Sequence, residues 1–265
     1  MHSIRFWLLI LLATCSTHSY AQTCSTEDFE LKVNGVSQCL LMRRFGAIEP
    51  DAMIVWLHGD ISSGGPANYH FSAAQKAVDL FAPLKVLSVA LVRPGYPDGS
   101  GDSSSVGFLH GGRSDHYTKE NLLEVGMAIE RLRAKFQPKM VVVVGHSGGA
   151  ATTALLLGMK PKLIDAAVLV ACPCDIVTWR AGRRSWDRSE NPIKWAEQVA
   201  PSTRVAALTG TKDDNTLPEL ARAYVEALTL RGLRATFKPL SDETHNSAFR
   251  SPEVTNAIRT LMVEK

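Results

Sequence analysis

Residues 140–150 read Met-Val-Val-Val-Val-Gly-His-Ser-Gly-Gly-Ala. Four valines after Met140 are β-branched and leave neither face polar, the pattern of a strand buried in the middle of a parallel sheet. The run ends at Gly145-His146-Ser147-Gly148-Gly149, and a stretch rich in alanine and leucine follows to about Met159. Strand passes into helix with almost no loop, so the chain must bend sharply at Ser147, and glycines at 145, 148 and 149 give it room. Such a bend holds the Ser147 hydroxyl up from the end of the sheet. The other reading of the stretch is a plain glycine turn that binds phosphate. No lysine follows as in a P-loop, and the third glycine of a dinucleotide fingerprint is missing.

On either side of this stretch the chain alternates strand and helix. Glu27–Val33 and Ser37–Arg44 read as two short strands joined at Asn34-Gly35, a hairpin signal. Buried strands are expected at Met53–Leu57, Val86–Val92 and Ala166–Ala171, and further strands at Arg204–Thr209 and Ala235–Leu240. Helices are expected at Phe71–Leu80, Tyr117–Phe136, Leu217–Leu230 and Pro252–Val263. In the second of these, Leu122, Val125, Ile129 and Leu132 fall on one face. Trp179–Pro201 reads as irregular apart from a short helix near Ile193–Val199. Repeated β-then-α units imply an α/β fold, a three-layer sandwich with helices on both faces of a mostly parallel, eight-stranded sheet whose first two strands form an antiparallel edge.

The chain has 265 residues, 45% of them hydrophobic and 21% charged, with a net charge of +3. That length fits one large α/β domain or two small ones with a sizeable core, and the ordinary globular composition argues against disorder, collagen and coiled coil. The mild charge lacks the clustered basic stripe of a nucleic-acid binder. No apolar run reaches the roughly 18 residues needed to span a bilayer. Arg5, the apolar run Phe6–Ala13 and the small residues of Ser19-Tyr20-Ala21 form the pattern of a secretory signal peptide, residues 1–21, which predicts export to the periplasm or medium. The mature chain then keeps Cys24, Cys39, Cys172 and Cys174, an even number in an oxidising compartment. Cys24–Cys39 is the favoured pair because both flank the expected hairpin. Cys172-Pro173-Cys174 reads as a redox pair, a strained local bridge or two ordinary thiols. No histidine cluster accompanies them, so no metal is expected.

With Gly145-x-Ser147-x-Gly149 set between strand and helix, the chain resembles the α/β-hydrolase superfamily over nearly all of its mature length. It is most similar to small secreted serine esterases and to the dienelactone-hydrolase and prolyl-oligopeptidase branch. The resemblance implies the order nucleophile, acid, histidine. A serine hydroxyl needs a base within hydrogen-bond reach. His245, on the loop after the last strand, is the histidine in that order; His58, His70, His110, His116 and His146 all precede the nucleophile. The base needs a carboxylate to hold its tautomer. The turn after Arg204–Thr209 offers Asp213, with Asp214 one residue on and Asp175 after the preceding strand as rivals. Two backbone N–H groups must hold an oxyanion. Gly148 is expected to give one. The resemblance implies that the other comes from Asp60, or else Ile61, in His58-Gly59-Asp60-Ile61, provided that the aspartate carboxylate points away. His110-Gly111-Gly112 imitates such a motif after the wrong strand and reads as loop.

The resemblance therefore implies a serine hydrolase cutting a carboxylic ester or related acyl bond through an acyl-enzyme, with Ser147, Asp213 and His245 as its triad and no cofactor. An aminopeptidase-like or dipeptidyl-peptidase-like serine peptidase uses the same machinery, and a non-catalytic binding protein of this fold is the rival of a different class. The partner expected is a small-molecule acyl substrate, with neither nucleic acid nor stable membrane insertion. Residues 175–201 lie where this superfamily inserts a small cap, and Pro97–Ser114 reads as a rim of the pocket. Arg180, Arg183, Arg184 and Arg188 fall within nine residues, beside Trp179, Trp186 and Trp195. Such a cluster either binds a substrate carboxylate or phosphate, or covers the surface as a solvated basic loop anchored by aromatics.

Overall fold

The computed structural model describes residues 23–62, 64–104 and 116–263. The expected signal peptide, Cys15 and His110-Gly111-Gly112 lie outside the described residues. Eight strands form one sheet: β1 (Lys32–Asn34), β2 (Cys39–Gly46), β3 (Ala52–Leu57), β4 (Val86–Leu91), β5 (Met140–His146), β6 (Ala166–Val170), β7 (Arg204–Gly210) and β8 (Ala235–Leu240). Their spatial order is β1-β2-β4-β3-β5-β6-β7-β8. β1 and β2 run antiparallel at one edge, and every pairing from β4 to β8 is parallel.

Side chains alternate across each strand and so divide the core in two. Val141 and Val143 of β5, with Met53, Val55 and Leu57 of β3, pack under α2 (Lys119–Phe136), α3 (Gly148–Met159) and α6 (Pro218–Leu230). Val142 and Val144, with Ile54 and Trp56, face α1 (Phe71–Leu80) and α7 (Pro252–Val263). This is the three-layer α/β sandwich. Helix α3 is buried along nearly its whole length, which explains its lack of a polar face. Its Thr152 and Thr153 hydroxyls donate to the carbonyls four residues back, so neither is left unpaired in the core.

Two expectations need correction. The strand expected at Glu27–Val33 shrinks to Lys32–Asn34. The Asp28 carboxylate accepts from the N–H groups of Glu30, Leu31 and Lys32, and this local bonding replaces a ladder. The segment expected to be irregular before Ile193 contains one helical turn, α4 (Ile176–Trp179), whose N-terminus is capped by the Asp175 carboxylate. The short helix near Ile193 is α5 (Pro192–Trp195), continued by a 3₁₀ turn at Ala196–Gln198.

Both cysteine pairs are bonded, Cys24–Cys39 and Cys172–Cys174. Cys39 pairs opposite Asn34 in the β1–β2 ladder, and the Cys24 N–H donates to the Asn34 side chain, so the first disulfide ties the N-terminal strap to the sheet edge. Its sequence separation of 15 residues corresponds to about 3 kcal/mol of lost unfolded-chain entropy. The variant Cys24→Ala/Cys39→Ala should therefore melt roughly 6–12 °C lower by calorimetry, at two to four degrees per kcal/mol for a domain of this size. An unchanged melting temperature would show that the strap adds nothing.

Candidate active site

Ser147 sits between β5 and α3 with φ 52° and ψ −116°. A non-glycine residue held there costs about 1–3 kcal/mol and persists only where its surroundings enforce it. The Ser147 N–H donates to the Val170 carbonyl of β6, and the Ser147 carbonyl accepts from Ala151, which locks the bend from both sides. The bend also needs bare backbone. A Cβ on Gly149 would overlap the Leu57 carbonyl oxygen at the end of β3, and one on Gly145 would overlap the Gly149 carbonyl. Glycine at both positions lets the start of α3 press against the sheet.

His245, on the loop that follows β8, places Nε2 2.9 Å from the Ser147 Oγ. Its Nδ1 lies 2.9 and 3.1 Å from the two carboxylate oxygens of Asp213. A carboxylate accepts only, so Nδ1 carries the proton and Nε2 is free to accept from the serine hydroxyl. Asp213 is 3% exposed. Burial disfavours its charged form, but the bonds from His245 and from the Thr216 N–H and hydroxyl prevail and hold its pKa below the usual carboxylate range. Asn215 and Thr216 N–H groups both donate to Oδ1, and the Thr216 hydroxyl lies 2.8 Å from Oδ2. The rival acids are elsewhere. Asp175 caps α4 and bonds Thr178 and Asn191. Asp214 is exposed on the cavity wall.

The turn after β3 lies opposite. Gly148 begins α3, so its N–H has no partner within the helix and sits at the helix's positive end. The Asp60 carboxylate accepts from Arg93 Nη2 at 2.5 Å, the Tyr96 hydroxyl at 3.0 Å and the Tyr117 hydroxyl at 2.7 Å. Burial opposes its charge, but Arg93 outweighs burial and keeps the group ionised. Arg93 itself is 1% exposed.

A second chain of bonds joins this turn to the histidine loop. The Gly59 N–H donates to the Tyr69 hydroxyl at 2.5 Å, and Tyr69 donates to His146 Nδ1 at 2.7 Å. His146 Nε2–H then donates to the His245 carbonyl at 2.9 Å. Burial pushes the His146 pKa down to about 4, so the ring is neutral and the chain keeps one direction. No motif in the sequence marks Tyr69, Thr216, Arg93 or Tyr117 as a site residue. The one signal for Arg93 was its place directly after a buried strand, where an unpaired guanidinium would be costly.

A cavity of about 910 Å³ opens over Ser147 and His245. Its walls include Asp60 and Ile61 from the β3 turn, Trp179, Arg180, Arg183 and Trp186 from the 175–201 segment, and Asp214. The arginine- and tryptophan-rich stretch thus faces the same space as the serine. Arg184 and Arg188 do not line it. Among the described residues no group of His, Cys, Asp and Glu side chains could hold a metal ion, and no helix is long and apolar enough to cross a membrane.

Several solved structures share this architecture. Est1E from Butyrivibrio proteoclasticus, with ferulic acid bound, superposes with a TM-score of 0.67 at 13% identity, over 88% of this chain and 99% of its own. The Pyrococcus horikoshii acylaminoacyl peptidase gives 0.66 at 15% identity, over 87% of this chain but only 40% of its own. A Xanthomonas campestris α/β serine hydrolase without a lid gives 0.57 at 14% identity, over 91% and 98%. At these identities the likeness is one of fold. No curated protein matches the sequence. The sequence of residues 119–262, which carries α2, the serine bend, the β7 turn and the histidine loop, matches the prolyl oligopeptidase family. That match spans more than half of the chain, and this protein belongs to the prolyl oligopeptidase family of serine hydrolases.

Proposed function

We propose that this protein hydrolyses a carboxylic ester or related acyl bond through an acyl-enzyme at Ser147. The observation that carries the proposal is the continuous line of hydrogen bonds from Ser147 Oγ through His245 to Asp213 at the floor of an open cavity. In this reading Ser147 Oγ bonds to the substrate carbonyl carbon while its proton passes to His245 Nε2. Asp213 stabilises the imidazolium without taking its proton. The Gly148 and Asp60 N–H groups hold the negative oxygen, and the Asp60 carboxylate, although its Oδ1 lies against Gly148, has its charge offset by Arg93. His245 then protonates the departing alcohol. Water repeats the sequence on the acyl-serine and restores the enzyme. Residues 175–201 act as a small cap, and the two disulfides fit a chain exported after cleavage near Ala21.

The family match favours a second reading, a serine peptidase acting at a free N-terminus. An N-terminal ammonium would need carboxylates to receive it. Asp60 is engaged by Arg93, and only Asp214 faces the cavity unpaired among the described residues. This charge balance favours the ester. Incubation with a fluorophosphonate probe should attach one label, located at Ser147 by mass spectrometry. A panel of p-nitrophenyl esters should then be turned over faster than aminoacyl-anilides. A folded protein that takes no label would sink the hydrolase reading, and anilides cleaved faster than every ester would replace esterase with peptidase.

A further inference from the structure

The cavity carries a cationic feature that acyl transfer itself does not use. Arg180 follows α4, and its guanidinium carbon lies 5.3 Å from the Trp179 ring centroid and 4.9 Å from that of Trp186. The two indoles stand edge to face at 5.2 Å, so the guanidinium is held against both. Both rings are themselves fixed. Trp179 Nε1–H donates to the Asn215 carbonyl, on the turn that holds Asp213, and Trp186 packs on Tyr117, which bonds Asp60. Arg180 Nε–H donates to the Arg184 carbonyl at 3.0 Å, and that bond sets the plane of the fork. Among the described residues no carboxylate pairs with Arg180 or Arg183, although both line the cavity. Of the carboxylates near that space, Asp213 is bound to His245 and Asp60 to Arg93, which leaves Asp214 against two guanidinium groups. A preordered, half-buried guanidinium without a counter-ion suits a planar anion, and its entropy of ordering is already spent on the indoles.

We infer that Arg180, assisted by Arg183, makes this cavity selective for esters that carry a carboxylate in the acyl part or in the leaving group. The inference rests on the hydrolase reading, with Arg180 as a specificity residue that takes no part in proton transfer. Two matched pairs, read after subtraction of the spontaneous hydrolysis that a neighbouring carboxylate promotes, separate the two positions of the charge. Mono-p-nitrophenyl succinate against p-nitrophenyl butyrate places it in the acyl part, and 4-acetoxybenzoate against phenyl acetate in the leaving group. At low ionic strength one charged member should exceed its neutral partner in kcat/KM about tenfold or more, chiefly through KM. Added salt should erode that preference. Arg180→Gln should bring the ratio toward one, and Arg180→Lys should restore part of it. Ser147→Ala gives a readout independent of turnover: benzoate, but not benzyl alcohol, should quench its tryptophan fluorescence saturably. Charged esters no better than their partners, or a ratio unchanged in Arg180→Gln, would overturn the inference while leaving the hydrolase reading intact. Loss of fluorophosphonate labelling alone would overturn the hydrolase reading, and saturable benzoate binding would then still report the anion site.

Discussion

Ser147→Ala should lower kcat toward p-nitrophenyl esters by about 10⁶-fold, and Asp213→Asn by about 10⁴-fold, with the fold intact in both. The first loss follows from removing the atom that forms the acyl bond in the proposed mechanism. The second is the more discriminating, because asparagine has the size of aspartate and keeps most of its bonds. In the native turn Oδ1 receives the Asn215 and Thr216 N–H groups, and Oδ2 faces the Thr216 hydroxyl and His245 Nδ1. An asparagine would keep its oxygen on the two backbone donors and turn its NH₂ toward His245. That NH₂ must donate to Nδ1, so the imidazole proton moves to Nε2, and His245 then points an N–H at Ser147 where a lone pair is required. Asp214→Asn, one residue on and exposed, should change kcat little. Steady-state rates together with the rate of fluorophosphonate labelling check the series. Asp213→Asn turning over like the wild type would remove Asp213 from the machinery, and a collapse in Asp214→Asn instead would transfer the role.

What could be read in the sequence followed the range of the interactions. The β5–Ser147–α3 bend is local: valines, glycines and small helix residues within twenty positions define it, so the serine, the flanking elements and the parallel sheet were legible. Asp213, with Asp214 and Asp175 as rivals, and His245 came from the resemblance, whose order of nucleophile, acid and histidine points to the turns after the last strands, and the fold brings Asp213 and His245 within hydrogen-bond reach of each other. The bonds that hold these groups in place join residues far apart in the chain and have no periodicity. Tyr69 reaches His146 across 77 positions, Arg93 reaches Asp60 across 33, and Tyr117 reaches Asp60 across 57. The arginine-rich segment was ambiguous for a related reason. Its composition suits a solvated loop as well as a pocket wall, and only the fold turns Arg180 and Arg183 toward the serine while leaving Arg184 and Arg188 off that cavity. The helical turn Ile176–Trp179 is too short to show a period, and its capping aspartate was instead a rival for the catalytic acid.

Arg93→Met should destabilise the protein by about 3–5 kcal/mol, since it removes one half of a buried ion pair and leaves the other. Methionine fills much of the volume, but the Asp60 carboxylate would keep only the Tyr96 and Tyr117 hydroxyls. Calorimetry should show a fall in melting temperature of roughly 6–20 °C. Asp60→Asn/Arg93→Met should recover much of this, because neither charge is then stranded, and the double-mutant cycle measures the coupling. The pH dependence provides a second check. In the wild type Arg93 holds the Asp60 pKa down, so this pair's contribution is complete above the unfolded carboxyl value near 3.9 and fades as pH falls through the folded value. In Arg93→Met the largest opposition to burial is gone, leaving His116 and the Tyr117 hydroxyl against it, so the folded Asp60 pKa rises from its wild-type value. The folded variant then takes up its proton at a higher pH than the folded wild type, so its deficit shrinks as the pH is lowered. Because Asp60 N–H is the proposed second oxyanion donor and its side chain anchors the 59–61 turn, kcat should fall in the same variant at temperatures where it remains folded. A deficit that stays constant with pH would mean that the carboxylate had found another cation, and full activity would mean that the turn does not depend on this pair.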